Sequence, residues 1–138
     1  MLLADSAQVS EGKLFVLGGG WSRIGPGPTP SAVAIIIEVP WDQTNVTHRW
    51  RLELVDSDGR PVMWTPTPEG EQPLVIQGQF EVGRPPGIAL GSSIGMPLAI
   101  NFGPLPLGPG SRYEWRLTVD NESDSDWRLP FSTRPGVN

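Results

Sequence analysis

The sequence holds no cysteine and a single histidine in 138 residues, and each shortage removes a class of chemistry. Without cysteine there is no disulfide, no thiolate nucleophile and no cysteine-bound zinc, in agreement with a reducing compartment. One histidine, His48, cannot assemble a multi-histidine metal site, and no serine or carboxylate stands out as its catalytic partner. Glu38, Glu53 and Glu81 each fit the solvent side of a strand, so no carboxylate pair can be nominated for acid–base work. No catalytic residue, metal ligand or cofactor is assigned, and the chain is not expected to be an enzyme. Apolar runs of the roughly 18–20 residues that cross a bilayer are missing, and the opening MLLAD lacks the n- and h-regions of a signal peptide. A cytoplasmic location with no membrane partner is expected. Only 18% of residues are charged, the net charge is −5, and no basic run appears along the chain, which predicts that nucleic acid is not a partner.

Helix signals are also scarce. Seventeen glycines and sixteen prolines break every stretch in which apolar residues could recur at three-and-four spacing. Period-two alternation is present instead. LVIQGQFEV sets Leu74, Ile76, Gly78, Phe80 and Val82 against Val75, Gln77, Gln79 and Glu81, and HRWRLEL sets Trp50, Leu52 and Leu54 against Arg49, Arg51 and Glu53. GMPLAINF, RYEWRLTVD and DWRLPFST alternate in the same way. The spacing predicts eight or nine short strands in one domain over 1–138, all-β, as an antiparallel two-sheet β-sandwich. Its core is expected to hold Trp50, Leu52, Leu54, Ile76, Phe80, Leu98, Ile100, Tyr113, Trp115 and Leu117. Asp58-Gly59 predicts a hairpin pairing Trp50–Asp56 with about Pro61–Thr65. LGPGSRY resembles the tyrosine corner of Greek-key, immunoglobulin-like sandwiches, where the hydroxyl bonds back to upstream backbone. AVAIIIEV is apolar on both faces, so a loop, the N-terminal hairpin or another subunit must cover the second one.

Two stretches imitate known ligand loops. VLGGGW follows a strand as a phosphate loop does, but the third glycine of a dinucleotide fingerprint is replaced by Arg23, no Lys-Ser or Lys-Thr follows, and GPGPTP precludes the required helix. It reads as a strand end closed by Trp21. DNESDSD places Asp120, Glu122, Asp124 and Asp126 at alternate positions, yet Ser125 and Phe131 stand where a calcium loop needs glycine and glutamate, so residues 120–126 read as a solvated tip.

The opening ADSAQVSEGKLFVLGGGW resembles an uncharacterised bacterial family, actinobacterial in type, a domain of unknown function beginning A-D-x-A-Q-V-x-x-G-K-L-x-x-L-G-G-G-W. Ala4, Asp5, Ala7, Gln8, Val9, Gly12, Lys13, Leu14, Leu17, Gly18, Gly19, Gly20 and Trp21 match that pattern. The resemblance implies a sandwich fold and brings no activity. Read from its residues, the segment is a hairpin turning at Gly12.

Function is left to surfaces. Trp21, Trp41 and Trp64 lie near strand ends beside proline or glycine, where they could cap the core, anchor a protein or stack on a sugar. Ile36 marks the uncovered face of AVAIIIEV. The expected function is a non-enzymatic protein-interaction or structural module whose partner is another protein or a second copy in a homodimer; the alternative is a small-ligand or carbohydrate-binding domain. One concave tryptophan platform would favour the glycan, dispersed tryptophans the interaction module.

Overall fold

Alternation becomes strand wherever the sequence predicts it. Residues 1–25 and 27–136 are described by a computed structural model; Pro26 of the GPGPTP loop and the last two residues of the expected domain lie outside them. The strands are β1 (Leu2–Ala4), β2 (Ser6–Ser10), β3 (Lys13–Leu17), β4 (Arg23–Ile24), β5 (Ser31–Val39), β6 (His48–Asp56), β7 (Met63–Trp64), β8 (Gln72–Pro73), β9 (Val75–Phe80), β10 (Ile94–Phe102), β11 (Arg112–Val119) and β12 (Arg128–Thr133). Twelve replace the expected eight or nine because β1, β4, β7 and β8 are pieces of two or three residues, too short to show a period. The only helical turns among the described residues are 3-10, at Trp41–Gln43 and Ser125–Trp127. The fold is all-β.

Two open sheets carry the architecture. One has the order β1-β5-β10 and the other β4-β12-β11-β6-β9; every pairing in them is antiparallel except β4 beside β12. The apolar faces of both contribute to a single cluster containing Leu3, Val33, Ile35 and Phe102 from the first sheet and Trp50, Leu52, Leu54, Trp115, Leu117 and Phe131 from the second. Phe102 stacks on Trp115 across it, with ring centroids 4.9 Å apart. Fully burying a leucine-sized side chain contributes about 1.5–3 kcal/mol, so this cluster dominates stability. Of the expected core, Trp50, Leu52, Leu54, Trp115 and Leu117 are buried, while Ile76, Phe80, Leu98, Ile100 and Tyr113 are half-buried and packed against them.

One expected pairing fails. The chain does reverse at Gly59, which has φ 77°, and Asp56 donates its amide to the Arg60 carbonyl at 2.9 Å. The ladder then ends after a single bridge, Val55 to Pro61: the Val62 amide still donates to the Leu54 carbonyl at 2.9 Å, but Leu54 donates to the Leu74 carbonyl at 3.1 Å and Leu74 to the Val62 carbonyl at 2.8 Å, so Leu74 inserts between the two segments. β7 turns away to pair with β8, and β9 takes the place beside β6.

β2 and β3 form a separate hairpin, turned by Glu11 and Gly12 with φ 52° and 70°. It lies against the outer face of β5 and β10, where Ala4, Ala7, Ala32 and Ala34 form a second buried cluster with Leu2, Leu14 and Ala99. Alanines let the backbones approach closely. The hairpin thus covers the Ala32–Ala34 end of the second face of β5 and leaves Ile36 54% exposed.

Candidate functional site

A clamp holds the hairpin in place. The side chain of Asn101 on β10 accepts from the Ala7 amide at 3.1 Å and donates to the Ala7 carbonyl at 2.8 Å, as a neighbouring strand would. Both backbone groups of Ala7 therefore face β10. Since Ala7 opposes Val16, and Gln8 opposes Phe15, alternation of the ladder makes Gln8 and Phe15 the hydrogen-bonded pair and turns the N–H and C=O of Leu14 and Val16 outward. β3 pairs with β2 alone, so this outer edge is open.

The hairpin carries exposed apolar side chains on both faces. Of eight exposed large hydrophobic residues among those described, Phe15 and Leu17, 55% and 70% exposed, stand on its outward face with Ser6 and Gln8, Val9 and Val16 lie on the sheet-facing side with Ala7 and Leu14, and Ile36 belongs to the strand beneath.

The three tryptophans have different neighbours. Trp21 packs edge-on against Phe131 at 6.3 Å, Trp64 against Phe102 at 6.4 Å, and the indole nitrogens of both are buried without a protein partner. Trp41 follows β5, at the opposite end of that strand from Phe102, which pairs with Ser31. The Arg84 guanidinium lies 4.0 Å above its ring and bonds the Trp41 carbonyl and Thr44 hydroxyl at 2.8 and 2.7 Å. No common platform joins the three.

The glycine run is packed into the fold. Gly19 lies against Val16 and Leu2, and Gly18, with φ 61°, lies against the Asp5 carboxylate. A carboxylate there opposes a phosphate by like charge. Gly20 donates its amide to the Leu3 carbonyl at 2.7 Å, which ties the run to the edge of β1.

His48 is buried, and both ring nitrogens meet acceptors: Nδ1 lies 2.6 Å from Asp120 Oδ2 and Nε2 lies 2.7 Å from the Gln43 carbonyl. Two acceptors favour the doubly protonated ring. The hydrogen bond to Asp120, followed by that to Gln43, raises the His48 pKa, and the same bond, with the Arg49 amide at 2.9 Å, lowers that of Asp120. A cleft of about 420 Å³ adjoins the pair, yet neither ring nitrogen is free to take a proton from a molecule in it. In the 120–126 loop Asp120 is engaged as described and Asp124 caps the turn by accepting from the Asp126 amide at 2.9 Å.

Sequence reasoning missed one assembly. Along the chain the arginines are scattered, but strand register places six of the nine, Arg23, Arg49, Arg51, Arg112, Arg116 and Arg128, on the outer face of the five-stranded sheet. Glu53 and Glu114 are the acidic residues of the same paired positions. The signal was arginine at alternate positions opposite tryptophan and leucine in HRWRLEL, RYEWRLTV and WRLPFS; the register that joins them could not be read locally.

An all-β domain of two open sheets and a clamped, apolar N-terminal hairpin is therefore the class to which the molecule belongs. Its residues 1–132 match the model of a family of unknown function, DUF6941, and the chain belongs to that family. No curated protein and no solved structure matches it. No helix among the described residues is long and apolar enough to cross a membrane.

Proposed function

We propose that the chain is a non-enzymatic protein-interaction module, an immunoglobulin-like β-sandwich that docks protein through its N-terminal hairpin, in the first place a second copy of itself. The shared core of the two sheets, the parallel β4 beside β12 and the Tyr113 corner support the sandwich. The observation that carries the function is the open edge of β3, where Phe15 and Leu17 stand exposed on the outward face of the hairpin.

A second copy fits because the open edge is self-complementary. In an antiparallel pair of β3 strands, Leu14 opposes Val16 of the other copy, and their outward N–H and C=O groups form four hydrogen bonds about a twofold axis. The two Phe15 rings then face each other as a close cross-strand pair. Lys13 comes opposite Leu17, beside Gly18 and the Asp5 carboxylate packed on it, so opposite charges meet at both ends. The alternative of a glycan-binding domain finds no tryptophan platform to support it.

Sedimentation velocity between about 1 and 100 μM tests this, a range that brackets a micromolar association. The native chain should sediment as a dimer at the upper end, and Phe15→Lys with Leu17→Lys as a monomer with unchanged melting temperature. A native chain monomeric throughout contradicts the proposal.

A further inference from the structure

The arginine face has an arrangement that folding alone does not require. Arg112, Ser132 and Arg23 form one row across β11, β12 and β4. Four residues along β11, about 13 Å away, Arg116 stands directly opposite Arg128. Thr118 then pairs with Arg51, and Arg49 follows two residues beyond. With strands about 4.8 Å apart and about 3.3 Å per residue, the six guanidiniums make a diagonal band roughly 30 Å long.

Like charges directly opposite across a ladder destabilise it. Here the compensation is partial: Glu114 takes the Arg116 Nε at 2.6 Å and Glu53 takes Arg51 at 3.4 Å, while Arg23, Arg49, Arg112 and Arg128 have no ion pair among the described residues. Six arginines against two glutamates leave the face four charges positive in a chain of net −5, and so the remainder nine negative. At one end of the band Arg23, Arg112 and Arg134 border a cleft of about 610 Å³, and Arg134 is fixed there by its bond to the Gly25 carbonyl at 2.7 Å.

We infer that this face binds an extended acidic segment of another protein, laid along the diagonal with a carboxylate in the cleft bordered by Arg23 and Arg112. Arginine forks match carboxylates in a two-point geometry that lysine cannot provide, and every cation of the band is arginine. A carboxylate at every second residue of an extended segment recurs at about 6.8 Å, the same repeat that spaces outward residues along a strand. Nucleic acid fits less well. No aromatic side chain stands on the paired positions of this face, so unstacked bases would find nothing to lie on, and a duplex extending past the face would meet the acidic remainder. This surface lies on the outer side of the five-stranded sheet and is independent of the hairpin.

Fluorescence anisotropy tests the assignment with three probes: a labelled dodecapeptide of alternating glutamate and serine, a single-stranded oligothymidylate of equal length, and a duplex of the same number of base pairs. The peptide should bind more tightly than either nucleic acid, and its affinity should fall about tenfold or more between about 20 and 200 mM salt, as expected for exposed charges screened over a Debye length. Arg112→Gln with Arg128→Gln should weaken it about fivefold or more, since two exposed charge pairs are lost together. Arg23→Gln with Arg49→Gln, at the two ends of the band, provides a second variant should the first not fold. Absence of peptide binding up to about 1 mM, tighter binding of either nucleic acid, or affinity unchanged in a folded variant overturns the inference.

Discussion

The hydroxyl of Tyr113 accepts a hydrogen bond from the amide of Gly108, five residues upstream, at 2.7 Å. The ring lies 5.7 Å from that of Phe131, and Thr133 closes the corner from the next strand by donating to the Gly108 carbonyl at 2.5 Å and accepting from the Ser111 amide at 2.9 Å. Tyr113→Phe keeps the ring and removes the acceptor, leaving the Gly108 amide unpaired. A loss of about 1–2 kcal/mol is expected in urea unfolding; an unchanged midpoint would show that the corner is held by packing alone.

Gly78 lies beneath Trp50. A methyl group at this position would stand 2.9 Å from three atoms of the indole, and the ring is a buried member of the core. Gly78→Ala should therefore destabilise by about 1–3 kcal/mol through overpacking, although alanine is ordinarily the better strand residue. Near-ultraviolet circular dichroism should report the displaced tryptophan, and a variant as stable as the native chain would place the ring elsewhere.

The His48–Asp120 pair makes stability depend on pH. The folded His48 pKa is raised above 6.5, first by its bond to Asp120 and then by Gln43, so its contribution is complete below about that pH and is lost as pH rises through the folded value. Asp120 is lowered below 3.8, first by His48 and then by the Arg49 amide, so its contribution is present above about 3.8 and is lost as pH falls through the folded value. Unfolding midpoints should accordingly decline as pH rises above about 6.5, and His48→Gln should flatten that limb. An equal decline in the variant assigns the pH dependence to other groups.

Local period was enough to read the strands and most of the core from sequence, because which residues of a strand face inward is a property of neighbours along the chain. Trp50, Leu52 and Leu54 alternate with Arg49, Arg51 and Glu53 whatever they pair with. Register between distant strands is different. Nothing near Arg23 announces that it will lie in one row with Arg112, and Asp120 reaches His48 over 72 residues. The hairpin was legible as a hairpin and as one candidate cover for the second face of β5; that it stacks on alanines, is clamped by Asn101 and exposes Phe15 and Leu17 needed the third dimension. Trp21 and Trp64 looked like surface candidates because they adjoin glycine and proline, yet their rings pack on Phe131 and Phe102, contacts made by strands far away in the chain.

The twofold pairing of β3 is tested most directly by a single introduced thiol, since the chain has no cysteine of its own. In the self-complementary register the two Phe15 residues form a non-hydrogen-bonded antiparallel pair, whose Cα separation of about 4.5 Å lies within the disulfide range. Phe15→Cys under mild oxidation should give a disulfide-linked dimer, whereas Thr118→Cys, on the arginine face, should remain monomeric. A Phe15→Cys chain that cross-links no faster than Thr118→Cys contradicts the pairing.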